Sequence, residues 1–352
     1  GNGPDRQGCT QCGRCFTGCT IGAKNSLDKN YLYFAEKKGV EILPERKVTH
    51  VEPASDGGYW LHLQHPWDSN ITYAPMRARQ VILSAGALGS QEIMFASRDR
   101  YRTLPNVSTM LGKRVRTNSE ALVGIMARDP DVDVTKGASI STHFYADEET
   151  HLTQNRLPPS YGMMKFYMVP MVDDPQPLRR ALRTLLAYFT QPIDALHVYF
   201  ARNWYKRTTY LTVMQAADNE LDFCYGRTIF RGFRYGLRSR LGKGGRTPSF
   251  LPQANAAARA VAEVSGGIPQ NMIVESIGNM SVTAHILGGA VMGANSAEGV
   301  ININHEVFEC PGLYVVDGAA IPANVGVNPS LTIAAFAERF ASRFPQKEIT
   351  HD

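Results

Sequence analysis

Two strand–turn–helix units, far apart in the sequence, constrain the fold of this chain most. In the first, the apolar run Val81–Leu83 is followed by a small-residue turn at 85–87 and a helical pattern from about Gly89. In the second, the apolar run 312–316 leads through a turn at Asp317 and Gly318 to a helical pattern over 329–344. Buried apolar strands joined to helices by glycine turns are typical of α/β domains. We therefore expect the two units to lie together in one α/β domain.

The rest of the chain predicts two further kinds of structure. A helix capped by Asn25 or Ser26 and ended by Gly39 precedes β-type runs at 40–43, 47–52, 59–64 and 71–73, which read as a small antiparallel meander. From about residue 119 to 278, alternating stretches and proline-rich breaks indicate a second, mixed domain.

Composition narrows the class of protein. The 352 residues are 43% apolar and 20% charged, which excludes wholesale disorder and a coiled coil. The net charge of +5 is too small to imply a nucleic-acid partner, and no apolar run approaches the ~20 residues of a spanning helix.

Four of the six cysteines lie close together within residues 9–19, unlike the dispersed cysteines of a disulfide framework, so we expect a reducing, cytoplasmic location. No signal peptide is visible, and the start at Gly1 indicates a processed or truncated chain.

The most informative stretch runs from 281 to 331. His285 precedes the pair Gly288 and Gly289, and Asn328 stands directly before Pro329. Proline after a polar cap is a helix-start signal, so Asn328 is predicted to cap a helix whose free N–H groups stabilise an anion. From the residues alone, a core histidine and an ordinary helix cap are the favoured explanation of these positions.

Longer strings carry a family resemblance. YVVDGAAIPANVGVNPSLTI (314–333) and HILGG (285–289) closely resemble the C-terminal signature of the glucose–methanol–choline (GMC) oxidoreductases, in their bacterial cholesterol-oxidase-like branch. GAKNSLDKNYL (22–32), the meander and VILSAGALGS (81–90) also match, so the resemblance extends over nearly the whole chain. It implies an FAD enzyme that oxidises an alcohol to a carbonyl by hydride transfer to flavin, acting on a sterol or another bulky lipid alcohol.

The resemblance also implies a fold and a division into domains. The expected class is α/β plus α+β, in which part of an FAD-binding α/β domain accompanies a mixed, mainly antiparallel-sheet substrate domain. Residues 1–118 and 279–352 are assigned to the FAD-binding domain, and 119–278 to the substrate domain.

The resemblance assigns site residues by position. His285 and Asn328 match the family's paired catalytic residues, and a neutral imidazole is suited to accepting a hydroxyl proton near neutral pH. Glu120 is a further candidate acid or base, although a solvated or salt-bridged carboxylate is the favoured explanation. The positions expected to contact FAD are Val48, Ala85, Gly86, Asn118, Asp317, Gly318, Asn328 and Pro329.

One departure from the family is large. Family members begin with a strand and a G-x-G-x-x-G turn that holds the FAD pyrophosphate, and this sequence has no such motif. Three explanations remain open: the chain is a fragment, another polypeptide supplies the FAD-binding segment, or flavin binding has been lost. A fragment lacking its N-terminal FAD-binding segment is the favoured explanation.

The cysteine run offers an alternative class of function. Cys9, Cys12, Cys15 and Cys19 have the spacing of a bacterial ferredoxin run, but its usual fourth cysteine serves a second cluster and precedes proline, whereas Thr20 follows here. Four thiolates also suit zinc. A glycine-rich loop with metal-free thiols is favoured, and an iron–sulfur or zinc protein of electron transfer or non-catalytic function is the alternative.

Two segments of the chain are rich in basic residues. Arg227, Arg231, Arg234 and Arg238 follow at helical spacing, but no nucleic-acid-binding signature accompanies them, and no nucleic-acid partner is expected. Residues 178–211 combine Arg179, Arg180, Arg183 and Arg207 with large apolar side chains, including Trp204. Such segments can rest on lipid surfaces, so peripheral membrane contact is a further expectation, beside that of a solvated face.

Overall fold

The computed structural model describes residues 3–229 and 232–345. Its α-helices are α1 (Tyr31–Lys37), α2 (Gly86–Phe95), α3 (Pro177–Thr190), α4 (Pro192–Phe200), α5 (Trp204–Arg207), α6 (Pro252–Ser265), α7 (Ile273–Ser276) and α8 (Ser330–Arg343). Its β-strands are β1 (Lys47–Pro53), β2 (Tyr59–Gln64), β3 (Thr72–Ala78), β4 (Val81–Leu83), β5 (Ala121–Ala127), β6 (Ile140–Tyr145), β7 (Thr150–Arg156), β8 (Met168–Pro170), β9 (Thr208–Gln215), β10 (Leu221–Arg227), β11 (Tyr235–Leu241), β12 (Gly267–Met272) and β13 (Leu313–Val315). Among the residues so described, no helix is long and apolar enough to cross a membrane.

The chain forms two compact units, each assembled from three segments. The first unit comprises Gly1–Leu43, Glu120–Gln215 and Pro248–Thr283, and the second comprises Pro44–Ser119, Ala216–Thr247 and Ala284–Asp352. The chain therefore passes between the units five times. The junctions fall after Leu43, Ser119, Gln215, Thr247 and Thr283, and the assignment of 1–118 with 279–352 and of 119–278 to two functional domains stays a prediction.

The first unit is built on a six-stranded antiparallel sheet with the order β6-β7-β9-β5-β12-β8. Its central strands are buried on both faces, because successive residues enter different clusters: Leu211 packs with α6, and Tyr210 packs with Trp204. Helix α6 covers its face through alanines spaced four apart, which suits close helix-on-sheet packing: Ala254, Ala258 and Ala262. The predicted mixed, mainly antiparallel domain is confirmed.

The second unit combines the meander β1-β2-β3, the hairpin β10-β11 and the parallel pair β4-β13. In the parallel pair, Val81 lies opposite Leu313 and Leu83 opposite Val315. These four side chains are at most 6% exposed and form part of one apolar core with Phe95 of α2. The two distant strand–turn–helix units therefore do meet, and the predicted α/β character is confirmed.

Several predicted element bounds were wrong. Residues 40–43 form no strand, and Val40, Ile42 and Leu43 are exposed, because a β-run persists only where a neighbouring strand and a buried face receive it. The N-terminal helix is shortened to α1, which begins after Asn30. Helix α2 begins at Gly86, three residues earlier than expected.

The helix predicted for the basic segment around 227–238 was also wrong. Arg227 ends β10, and Arg238 lies in β11 opposite Cys224. The segment forms strands and not a helix because it is rich in glycine, and each glycine would destabilise a helix interior by about 1 kcal/mol. These glycines are at positions 226, 232, 236 and 242. Arg231 lies outside the described residues.

Candidate active site

The carboxyl ends of β4 and β13 carry two facing turns. Ser90 of α2 joins them: its Oγ accepts a hydrogen bond from the backbone N–H of Ala85 at 3.1 Å and donates one to Asp317 Oδ2 at 2.5 Å. Asp317 Oδ1 accepts from the N–H of Ala319 at 2.8 Å. Burial raises the pKa of Asp317, while the hydrogen bond from Ser90 opposes this shift. Predicted positions Ala85, Asp317 and the buried Gly318 thus belong to one hydrogen-bonded strand-end structure, where α/β domains bind ligands.

A cleft of about 370 Å³ in the same unit is lined by Val48 and Ala85, two of the predicted FAD contacts. Its charged lining residues are Arg46, Lys47, Arg100 and Glu92. Three cations against one anion suit a ligand that carries phosphate groups. Arg46 also lies over the ring of Tyr73, with its guanidinium carbon 3.6 Å from the ring centroid, which holds the cation in place.

The N-terminus of α2 is exposed and has one acidic neighbour. No side chain caps this ten-residue helix, its first turn contains no acidic residue, and the space above Gly86 is open. Ala85 and Gly86 are both exposed. The N–H of Gly86 is directed at the carboxylate of Asp317, so this helix end already has a negative partner and leaves open backbone that a cofactor can approach. The chain's own residues at β4, α2 and β1 are therefore compatible with FAD.

The loop that carries His285 is anchored by its glycine pair. Gly288 has a φ of +73°, and a Cβ there would lie 2.1 Å from the carbonyl oxygen of Arg114, so only glycine fits. Its N–H donates to the carbonyl of Gly318 at 2.9 Å, which ties the His285 loop to the turn after β13. Gln91 Nε2 donates to the carbonyl of Gly288 at 3.0 Å. His285 itself is half-buried.

One short segment, 115–118, anchors both catalytic candidates. Arg116 pairs with Leu287 through two backbone hydrogen bonds of 2.8 and 3.0 Å, and Leu287 is two residues beyond His285. Asn118 is fully buried; its Oδ1 accepts from the N–H of Gly326 at 2.9 Å, and its Nδ2 donates to the carbonyl of Val327 at 2.9 Å. Asn328 is the next residue. Asn118, predicted to contact FAD, thus directs both polar groups of its side chain to the loop before Asn328.

The start of α8 differs slightly from the prediction. The helix begins at Ser330, with Pro329 as the cap residue, and no side chain caps it. Asn328 therefore stands one residue ahead of the helix cap, half-buried, and its side chain does not cap the helix. The four N–H groups of the first helical turn still face the direction of Asn328, so the predicted positive helix end remains.

Glu120 lies in the first unit, at the start of β5. It is 3% exposed, and Thr283 Oγ1 donates a hydrogen bond of 2.7 Å to its Oε2.

A second buried carboxyl in the first unit belongs to Glu275 of α7. Burial raises the pKa of Glu275 to about 8, and the charge of Glu120 adds to this shift. Sequence analysis missed Glu275, because no motif marks it. Its one signal is a carboxylate inside the apolar run 272–277, a position where a charge is costly.

Comparison with known proteins identifies the class. Two family models described as GMC oxidoreductase match the chain, one over residues 3–99 and the other over 243–337. Together they cover more than half of the sequence, and the chain belongs to the GMC oxidoreductase family. The resemblance drawn from residues 285–333 and 81–90 is therefore confirmed.

Individual relatives narrow the resemblance. The chain is 38% identical to a cholesterol oxidase of Acinetobacter baumannii over 99% of its own length and 63% of the relative's. It is also 38% identical to a cholesterol oxidase of Mycobacterium tuberculosis, over 99% of this chain and 61% of that one. The chain thus spans about three fifths of the length of these curated relatives. Among solved structures, pyridoxine 4-oxidase from Mesorbium loti shares the fold, with a TM-score of 0.59 and 16% identity over 92% of this chain and 63% of that one.

Proposed function

We propose that this protein oxidises an alcohol to a carbonyl with FAD, and that its substrate is a sterol or another bulky lipid alcohol. The observation that carries the proposal is the segment 115–118, which anchors the loop of His285 through Arg116 and the loop of Asn328 through Asn118. The 38% identity to two cholesterol oxidases supports the substrate class.

FAD, when bound, supplies the acceptor for the hydride that leaves the carbinol carbon. His285 would accept the hydroxyl proton, since a neutral imidazole is an effective base near neutral pH. Asn328 would hold the same oxygen by donating a hydrogen bond from its side-chain amide. The first turn of α8 would favour negative charge on the cofactor, and the cationic lining of the Val48 cleft would attract its phosphates.

The test is anaerobic reduction of the flavin by cholesterol, with the protein expressed from its own gene together with any coding sequence that precedes Gly1. His285→Ala should slow flavin reduction by about 100- to 10,000-fold without changing the flavin content or the unfolding midpoint. His65→Ala is the matched control, because His65 is also half-buried and lies in the meander. Near-normal reduction in the His285 variant would refute its role, and reduction by ethanol but not by cholesterol would refute the substrate class.

We also infer peripheral contact with lipid, because α3 and α4 expose an apolar face. This face consists of Leu178, Leu182, Leu185, Leu186, Phe189, Ile193, Leu196 and Phe200, each at least half exposed. On α3 these residues recur at helical spacing, as in helices that lie in a membrane interface. Arg180, Trp204 and Arg207, which the sequence also placed in this segment, are buried and take no part.

Vesicle flotation tests this contact. The double variant Phe189→Ser with Ile193→Ser should lose binding to sterol-containing vesicles, because both side chains are more than 70% exposed and contribute little to the core. A control with Val264→Ser and Leu331→Ser, equally exposed elsewhere, should bind as the wild type does. Unchanged flotation of the α3–α4 variant would count against a lipid role for this face.

A further inference from the structure

The four clustered cysteines surround one pocket. Cys9, Cys12, Cys15 and Cys19 all line a pocket of about 180 Å³ in the first unit, together with backbone of Gly137 and Ala138. All four are free thiols. Cys19 therefore lies with the other three cysteines, unlike the fourth cysteine of the ferredoxin pattern, which serves a second cluster.

The backbone fixes this loop in place. The N–H of Gly137 donates to the carbonyl of Gln11 at 2.8 Å, and Ser139 Oγ donates to the carbonyl of Gly13 at 3.1 Å. Gly13 has a φ of +68°, and a Cβ there would lie 2.1 Å from the carbonyl oxygen of Thr135. The chain therefore uses a glycine to bring the second and third cysteines against the segment 135–139.

The same segment has no core of its own. Among residues 3–24 only Gly13 is buried, and the regular structure is one short 3₁₀ turn at Cys15–Thr17. A loop of this kind gains too little from burial to offset its conformational entropy. In small thiolate-rich segments that stability comes from a bound metal, whose binding energy becomes folding energy.

The surroundings favour an anionic ligand. Residues 3–24 contain three cations, at Arg6, Arg14 and Lys24, against the one anion Asp5. A backbone N–H group also faces one of the sulfurs: the N–H of Gln11 donates to Cys9 Sγ at 3.4 Å. N–H groups directed at sulfur are a recurrent feature around thiolate-bound clusters, whose net charge they balance.

The size of the pocket favours a cluster over a single ion. Zinc lies about 2.3 Å from each thiolate and would fill only a small space between four sulfurs. The pocket of about 180 Å³ is several times the ~30 Å³ that one water occupies. We propose that Cys9, Cys12, Cys15 and Cys19 hold a four-iron, four-sulfide cluster in this pocket.

The test measures iron and acid-labile sulfide in protein purified without oxygen from its own gene. About four irons and four sulfides per chain are expected, with an electron paramagnetic resonance signal after reduction by dithionite. The double variant Cys12→Ser with Cys15→Ser should retain less than a tenth of both. Cys224→Ser is the matched control, since Cys224 is a free thiol, half-buried like Cys15, on β10 of the second unit, and its variant should retain both in full.

Three results would overturn the proposal: stoichiometric zinc without sulfide, unchanged iron and sulfide in the double variant, or a metal-free wild type whose four thiols all react with an alkylating agent. Should the double variant fail to fold, the wild type still decides the question. Trypsin should cleave at Arg6, Arg14 and Lys24 at least ten times faster after the iron is removed with a chelator. Equal cleavage rates would show that no cluster orders this loop. Neither readout depends on flavin or alcohol, so the outcome is independent of the proposed oxidation.

Discussion

Replacing Asn118 by alanine tests whether the segment 115–118 positions the loop that leads to Asn328, one of the two proposed catalytic residues. The side chain is fully buried, and both of its polar groups form hydrogen bonds with the backbone of Gly326 and Val327. Asn118 also has a φ of +58°, in the left-handed region that asparagine tolerates better than alanine. The change therefore removes two hydrogen bonds and adds backbone strain, without creating a large cavity.

The magnitude follows from those contacts. A buried N–H left without an acceptor, here that of Gly326, costs about 1–3 kcal/mol, and the bond to the partly buried carbonyl of Val327 contributes about 1 kcal/mol. Alanine at a left-handed position costs about 1 kcal/mol more. We expect the free energy of unfolding to fall by about 3–5 kcal/mol in total. Asn118→Gly should recover about 1 kcal/mol of this loss, because glycine relieves the strain and restores neither hydrogen bond.

Two assays separate stability from positioning. Urea unfolding gives the stability, and anaerobic stopped-flow reduction of the flavin gives the rate in the molecules that are folded. Asn155→Ala is the control: Asn155 is 5% exposed and donates to Thr212 Oγ1 at 2.7 Å in the first unit, far along the chain from Asn328. Both variants should be destabilised, and only the Asn118 variant should reduce its flavin more slowly. Equal rates in the two would refute positioning of Asn328 through Asn118, and a stability loss below 1 kcal/mol would refute the buried hydrogen bonds.

Two further predictions concern stability. Gly288→Ala should lower the free energy of unfolding by 3 kcal/mol or more, because the added Cβ meets a backbone oxygen. The control Gly57→Ala, at a φ of +89° in open space, should lower it by only about 1 kcal/mol. Urea titration measures both, and equal losses would contradict the steric explanation. Glu275→Gln should stabilise the protein by on the order of 3 kcal/mol at pH 7 and not at all at pH 4. The carboxyl of Glu275 keeps its proton up to about pH 8 in the folded chain and loses it near pH 4.5 in the unfolded chain. The stability of the wild type therefore falls as the pH rises through this window, and that of the variant does not. Exposed Glu263→Gln should leave the pH dependence unchanged, and a Glu275 variant with the wild-type pH dependence would contradict the burial argument.

Local signals were sufficient for some of this fold. The strands β4 and β13 and helix α8 follow from apolar runs and turn residues that lie next to one another in the sequence. The meander followed in the same way from the turn at Asp56 and Gly57. For the site, the glycine pair after His285 and the proline after Asn328 marked the two loops that the segment 115–118 anchors.

Other features depend on partners that the sequence does not name. β5 pairs with β12, about 140 residues later, and nothing in either strand encodes that choice. The run 40–43 has strand-forming residues and yet forms none, because tertiary context decides β structure. The pKa of Glu275 is raised by burial, a property of the folded chain that a sequence pattern does not contain.

Because the chain passes between the two units five times, exchanging parts with a relative is difficult. No single cut separates the units, so a chimera made at one crossover point would combine mismatched pieces of both hydrophobic interiors. A graft of the six-stranded sheet requires the simultaneous transplantation of Glu120–Gln215 and Pro248–Thr283 with their ends preserved. Natural variation meets the same restriction, so point substitutions are the simpler way to change the sheet while both units stay intact.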